Sequence, residues 1–526
     1  MNERLSLSNL LDQITKSHQS KEVVYDGTKR ICYQQLRDDV QKLASALTQK
    51  GVEKGDRVLA CLPNWYEFVV IYFGLATIGA VFVPCNPRSN NEELEYILES
   101  CGANTVFLTD EFGHIDLFKH YLKRENDQLT LRNIFTVRSE TEGYLSFNEL
   151  LELGSAKHLP EVDIDPIEDV FTILYTSGTT GKQKGVMLTH QNVIHIAKLT
   201  TEALRCKKED VLLVAVPAFH VFGFVPGILS AIIANAKIVL MEKFQASEAL
   251  KLIEREKVTI HHGVPTMFVL ELNDPNLEKY DLSSLRTGII AAAPCPEELV
   301  RQIRTAMGCD IVVSYGLTET SAGVTMTNFD DEDLLRSKTV GKALQGIEIK
   351  IVNHKREEVS FGEIGEIAVK SVGVMKGYFQ LPKKTNEVID HEGWFYTGDF
   401  GTINEKGYVR ILGRKNEMMI HEGERVFTKE IEHYFCQHPS ILEAVVIGFK
   451  DEVLGDVICA AIKLRPGHKE DEQLMKSFIQ NKVASYKIPD YIVFLDELPM
   501  TGSGKIKQKD LEESLIGKLR RLVKFQ

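Results

Sequence analysis

The sequence predicts an α/β protein, with a large N-terminal domain of mostly parallel sheets layered with helices and a smaller α+β domain after it. Three observations point there. Strand-length apolar runs alternate with amphipathic helical stretches along the first four hundred or so residues. The texture then changes after about Gly413, where a stretch of roughly a hundred residues has enough apolar periodicity for its own core. Finally, 526 residues are too many for one compact core, and length alone suggests two to four domains.

The alternation begins in "YQQLRDDVQKLASALTQKG", where Leu36, Val40, Leu43 and Leu47 recur at helical spacing, Gly51 closes the helix and "RVLACL" follows as a strand. "GAVFVPCNP", the helix "NEELEYILESCGA" and "TVFLTD" repeat the pattern, as do "AKIVLM", "SEALKLIEREKVT" and "LRTGIIAAA". From Val211 to Ala236 there is no Asp, Glu, Lys or Arg. That length would cross a bilayer, but Pro217, Pro226, Gly223, Gly227 and His220 interrupt a continuous helix, so a buried, pocket-lining segment is expected. After Gly413, "KEIEHYFCQH" and "DEQLMKSFIQNKVA" read as helices, and "AVVIGF" and "VICAAIKL" as strands. The expected domains are 1–413 and 414–526, joined by a short polar hinge rather than a tether; neither a repeat nor a low-complexity linker is visible.

Composition narrows the class. With 62 basic against 74 acidic side chains the net charge is −12, which argues against a nucleic-acid binder living off phosphate contacts. Nine cysteines without a CxxC pair fit idle thiols in a reducing compartment better than a disulfide framework or a zinc site. The N-terminus lacks the unbroken apolar core of a signal peptide, and a cytoplasmic location is expected.

The ten positions from Thr176 to Gly185, "TSGTTGKQKG", hold four hydroxyl residues, three glycines and two lysines after the strand "FTILY". Glycines let backbone N–H groups converge, while hydroxyls and lysines add donors, as a polyphosphate requires. The spacing is not that of a GxxxxGK[ST] loop.

With "YTSGTTGKQKGV" stand "YGLTET", "GWFYTGD", "GRKNEMM" and "PMTGSGKIKQKDL", in that order. Together they resemble the signatures of the adenylate-forming superfamily, which includes acyl-CoA synthetases, luciferases and peptide-synthetase adenylation domains, over nearly the whole chain. The resemblance implies a two-step ligase: a carboxylate attacks the α-phosphate of ATP to give an acyl-adenylate and pyrophosphate, then a thiol displaces AMP. Two anions must meet, so metal, lysine and backbone donors are needed.

By this resemblance Thr176, Ser177, Gly178, Thr179, Thr180, Gly181, Lys182 and Lys184 cradle the phosphates, and Ala292, Ala293, Pro294, Tyr315 and Gly316 border the nucleotide, with Tyr315 stacked on adenine. Thr318 bonds the α-phosphate and Glu319 holds Mg²⁺, a hard cation suited to carboxylate oxygen. Asp399 accepts the ribose hydroxyls, and Arg414 approaches the same ribose. Lys505 bridges the attacking carboxylate and the α-phosphate in the first step. The C-terminal domain is then mobile, swinging about Asn416 so that Gly423 and Glu424 face the pantetheine tunnel of coenzyme A. Asn416 stands where the family usually has Asp or Lys, and Gln183 and Thr428 replace prolines; losing prolines loosens the backbone.

"PAFHVFGF" lacks the aspartate with which amino-acid-activating relatives pair an ammonium, so the expected substrate is a plain carboxylic acid. Phe219, His220, Val264, Thr266, Ala322 and Gly323 would form its pocket; His220 is expected to act in catalysis, with a satisfied core histidine as the alternative. A medium- or long-chain fatty acid is favoured over an aryl acid such as a benzoate or hydroxycinnamate. Free coenzyme A is the default acceptor, an acyl carrier protein the alternative, and either a monomer or a homodimer is compatible with the sequence. Lys518, Arg520, Arg521 and Lys524 among C-terminal leucines offer contact with anionic lipid, against the plainer reading of a solvated helix end. Without the resemblance, a kinase-like phosphotransferase and a nucleotide-binding sensor without chemistry stay open.

Overall fold

The computed structural model describes residues 5–122, 131–157, 161–176, 183–293, 295–415, 418–421, 424–451, 455–480, 482–499 and 508–523. The chain forms two compact units, 1–348 with 369–395, and 349–368 with 396–526. The boundary expected between residues 413 and 414 falls inside the second unit, because the sheet that includes Glu348–Val352 and Gly365–Lys370 also contains Phe395–Ile403 and Val409–Arg414.

The first unit contains two large sheets. One has eight strands, in the order Gly377–Tyr378, Lys184–Thr189, Val170–Thr176, Val81–Cys85, Arg57–Cys61, Thr105–Leu108, Asn133–Thr136 and Leu145–Ser146. Its pairings are parallel except at the edge, where Val170–Thr176 and Lys184–Thr189 form an antiparallel hairpin and Gly377–Tyr378 adds to it. The other has nine strands, in the order Lys342–Ala343, Ala322–Met326, Asp310–Leu317, Thr287–Ile290, Ile260–His261, Val211–Val214, Lys237–Leu240, Glu22–Tyr25 and Arg30–Cys32. Parallel pairing again holds in the interior.

The helix Tyr66–Ile78 is apolar all round, and nearly every residue in it is buried, as such a pattern demands. Its aromatic rings tie neighbouring elements together: Phe68 meets Phe82 at 5.2 Å, and Tyr72 meets Phe171 at 4.8 Å and Phe224 at 5.0 Å. The uncharged stretch from Val211 does not form one helix. It is a strand, Val211–Val214, then a π-helical turn, Gly223–Leu229, containing Pro226, and a short helix, Ser230–Ile233, before the strand Lys237–Leu240. Among the described residues no helix is long and apolar enough to cross a membrane.

In the second unit Ile441–Asp451, Gly455–Leu464 and Tyr491–Phe494 form a three-stranded sheet covered on both faces. Ala444 and Val446 point to a core shared with Met475 and Ile479, while Val445 and Ile447 pack with Leu511, Leu515 and Leu519. That is the period of two that a strand imposes. The expected helices appear as Thr428–Phe435 and Glu472–Gln480.

Candidate active site

In the nine-stranded sheet Val211–Val214 has Lys237–Leu240 on one side and Ile260–His261 on the other, so the winding reverses at this strand. In open α/β sheets ligands bind beyond the carboxyl ends of strands at such a switch. Beyond the ends of four adjacent strands lie Phe219 and His220, Val264 and Thr266, Ala292 and Ala293, and Thr318 with Glu319. Phe219 is half-buried with its ring 4.6 Å from that of His220. His220 itself is exposed, which removes the alternative of a core histidine. Val264 is half-buried, and Thr266 is exposed in the first turn of the helix Pro265–Leu272. Ala292 is exposed and left-handed at φ +70°, an unusual backbone for a residue with a Cβ.

Asn64, which no sequence motif marked, fixes the Phe219–His220 segment from below. It is buried, its amide donates to the carbonyls of Val214, Val216 and Met241 at 3.0–3.2 Å, and its oxygen accepts from the Ala218 N–H at 2.7 Å. Next to it Trp65 donates to Glu242 at 2.8 Å. His262 is buried beneath the same loops, its ring 6.0 Å from Phe222. The Ile289 N–H donates to its Nδ1 at 3.1 Å, which makes Nε2 the protonated nitrogen, and burial pushes its pKa down to about 3. It is therefore a neutral ring near pH 7.

Thr318–Thr320 forms a 3₁₀ turn after the strand Asp310–Leu317. Gly316 permits the close approach behind it: a Cβ there would meet the Ala322 carbonyl oxygen at 1.8 Å. Ala322 is buried, and a Cβ on Gly323 would meet the Ser314 hydroxyl at 2.5 Å. The Glu319 carbonyl accepts from the Met375 N–H at 2.8 Å, and its Oε1 accepts from the Tyr378 hydroxyl at 2.8 Å. Lys184 Nζ sits 4.2 Å from the centre of the Tyr378 ring. Thr176 ends its strand with its hydroxyl 3.4 Å from the Lys184 carbonyl. Tyr315 and Thr318 are half-buried. Ser177, Gly178, Thr179, Thr180, Gly181, Lys182 and Pro294 lie outside the described residues.

In the second unit Asp399 is 4 % exposed and faces Arg414 across an antiparallel pair of strands, with Arg414 Nε 3.1 Å from Oδ1. Its backbone N–H donates to the Thr397 hydroxyl at 3.0 Å, and the Gly398 N–H donates to Glu366 at 3.0 Å. Glu424 opens the strand Glu424–Phe427, paired with His421. Asn416, Gly423 and Lys505 lie outside the described residues.

Among the described residues no group of three or more His, Cys, Asp or Glu forms a metal cluster. A lone Glu319 carboxylate, with one oxygen engaged by Tyr378, suits a Mg²⁺ that takes its other ligands from phosphate and water. A separate cavity of about 270 Å³ lies where Arg57, Val81 and Val170 begin their strands, away from the carboxyl ends. Its cations are already engaged, Lys54 with Asp169 at 2.7 Å and Arg57 with the carbonyls of Cys101 and Gly102.

Fold and site together define an α/β protein whose motif residues gather where such sheets bind ligands. The AMP-binding enzyme family model matches residues 11–379, and the AMP-binding enzyme C-terminal domain matches 430–505. The chain belongs to the AMP-binding enzyme family, the adenylate-forming superfamily that the motifs resemble. It is 35 % identical to YngI of Bacillus subtilis (strain 168), whose name assigns it provisionally to the acyl-CoA synthetases, over 97 % of both chains. It is 33 % identical to the mitochondrial medium-chain acyl-CoA ligase ACSF2 of Homo sapiens, over 94 % of this chain and 84 % of that one. Among solved structures, anthranilate CoA ligase AuaEII in complex with anthranoyl-AMP superposes with a TM-score of 0.89 at 27 % identity, covering 98 % of both chains.

Proposed function

We propose that this chain is an AMP-forming acyl-CoA synthetase that activates a medium- or long-chain fatty acid as acyl-AMP and passes the acyl group to coenzyme A. One observation carries the reading: the acid and nucleotide motifs meet beyond the carboxyl ends of four adjacent strands, in a chain 33 % identical to a medium-chain acyl-CoA ligase.

The Thr176–Lys184 loop cradles the β- and γ-phosphates, Tyr315 stacks on adenine, Ala292, Ala293 and Pro294 border the base, and Asp399 with Arg414 binds the ribose. Thr318 donates to the α-phosphate. Glu319 would hold Mg²⁺, which would neutralise charge on the phosphates. Lys505 brings the carboxylate of the acid to the α-phosphorus; the new C–O–P link forms as the bond to pyrophosphate breaks. In the second step the coenzyme A thiolate attacks the acyl carbon, and AMP leaves with the bridging oxygen. Rotation about Asn416 withdraws Lys505 and brings Gly423 and Glu424 to the pantetheine arm. Phe219 and His220, with Val264, Thr266, Ala322 and Gly323, enclose the acyl group. The structural similarity to an anthranilate CoA ligase supports an aryl acid as the second reading.

The test is AMP release with ATP, Mg²⁺ and coenzyme A, in parallel with octanoate, palmitate, benzoate and a hydroxycinnamate. AMP is expected with the fatty acids, slowed about 10²–10³-fold in Lys505→Ala. AMP only with the aromatic acids would replace the fatty acid with the second reading. Turnover only when an acyl carrier protein replaces coenzyme A would overturn the acceptor.

A further inference from the structure

The segment 371–379 bridges the two predicted phosphate-binding motifs within the first unit. On one side it grips the Thr318–Thr320 turn: the Met375 N–H donates to the Glu319 carbonyl at 2.8 Å, and the Ser321 hydroxyl donates to the Gly373 carbonyl at 2.8 Å. On the other it extends the glycine-rich hairpin: Gly377 pairs with Met187, the Lys376 N–H donates to the Met187 carbonyl at 2.9 Å, and the Phe379 N–H donates to the Gly185 carbonyl at 2.8 Å. Gly377 sits at φ +147°, and a Cβ there would meet the Thr385 side chain at 2.8 Å, so the bridge has little room to shift.

Tyr378 is the residue of this bridge that touches both motifs through its side chain. Its hydroxyl donates to Glu319 Oε1 at 2.8 Å, while Lys184 Nζ lies 4.2 Å from the centre of its ring. The ring is 4 % exposed and therefore held in place. A phenol on one carboxylate oxygen restricts rotation of the carboxylate and, among the described residues, leaves Oε2 as the oxygen without a hydrogen-bond partner. Outer partners of this kind orient metal ligands and commonly govern metal affinity by 10–100-fold. The aromatic face meanwhile gives the lysine a resting place that is not a competing carboxylate.

We propose that Tyr378 is a positioning residue for the cation and phosphate site: its hydroxyl orients Glu319 toward the divalent ion and its ring stations Lys184 beside the polyphosphate. The proposal rests on the assignment of Glu319 as the cation ligand. It separates two properties of one side chain. Tyr378→Phe removes the hydroxyl and keeps the ring; Tyr378→Leu removes both.

The experiment titrates ATP by calorimetry into the full chain at a series of Mg²⁺ concentrations, without acid or coenzyme A, so that binding is read and not turnover. Wild type, Tyr378→Phe, Tyr378→Leu and Glu319→Gln are compared, with thermal unfolding recorded for each. Tyr378→Phe is expected to raise the Mg²⁺ concentration for half-maximal ATP affinity about tenfold, with affinity restored at saturating Mg²⁺. Tyr378→Leu is expected to weaken ATP binding further, by a factor that Mg²⁺ does not restore. If Glu319→Gln shifts the Mg²⁺ dependence and Tyr378→Phe leaves it unchanged, the positioning role is wrong and the Glu319 assignment stands. If Glu319→Gln leaves it unchanged too, the assignment of Glu319 falls, and the role of Tyr378 with it. Equal weakening in the Phe and Leu variants at saturating Mg²⁺ would overturn the role given to the ring.

Discussion

Glu319 and Asp399 are both single carboxylates inside motifs, yet the chain holds them by different means. Glu319 is fixed partly from far along the sequence, through Tyr378 and Met375, and partly by the tight packing of Gly316 on Ala322 around its own turn. Asp399 is held chiefly by residues near it in its hairpin, Arg414 on the facing strand and Thr397 two residues away, with Glu366 holding the neighbouring Gly398. A carboxylate held by a segment 59 residues away depends on that segment staying in place, whereas one held across a hairpin depends first on the two strands of the hairpin.

The largest effect is expected at Gly316. Alanine there would drive a methyl group into a backbone carbonyl that cannot move aside, costing about 3 kcal/mol or more of stability. Urea unfolding should show the loss, together with weakened ATP binding as the Glu319 turn is displaced. Asn64→Ala comes next, at about 2–3 kcal/mol, because it strands the buried Ala218 N–H and the carbonyls that Asn64 now satisfies. Since Asn64 supports the Phe219–His220 segment, KM for the acid should rise about tenfold while KM for ATP holds; equal changes in both would refute this local effect.

Per histidine and per pH unit, the pH response is intermediate in size. His262 is pushed down to about 3 and His190 to about 4, both by burial, so between those values and about 6.5 the unfolded chain binds protons that the folded chain refuses. Stability therefore falls as pH drops below about 6.5, by up to about 1.4 kcal/mol per pH unit for each histidine. His262→Gln, which keeps an acceptor for the Ile289 N–H, should flatten the fall in urea midpoint between pH 6.5 and 4.5. Gly398→Ala, beside Asp399, is expected to cost least, about 1 kcal/mol, because φ is +74° but nothing lies within 4 Å of the added carbon.

These differences also explain what could be read in advance. Period and length gave Tyr33–Gln49, Arg57–Cys61, Asn91–Cys101 and Ala246–Glu256, since each element carries its own apolar pattern. The prolines and glycines between Pro217 and Gly227 correctly denied a single long helix. Thr318, Glu319 and Asp399 were marked by the resemblance of "YGLTET" and "GWFYTGD" to family signatures, which are short and contiguous. Asn64 and Tyr378 were not, since the bonds that give them meaning span 150 residues or more in one case and 59 in the other. The sheet joining Glu348–Val352 and Gly365–Lys370 to Val409–Arg414 was equally hidden, because no local pattern announces a partner strand beyond an intervening segment.

The most direct test of the central claim is acid-dependent exchange of labelled pyrophosphate into ATP, measured with octanoate and without coenzyme A. Label should enter ATP only when the acid and Mg²⁺ are present, because a reversible first step regenerates ATP from acyl-AMP. An ATP pool that stays unlabelled with every acid of the panel, or ADP as the nucleotide product, would contradict the assignment of this chain as an AMP-forming acid–thiol ligase.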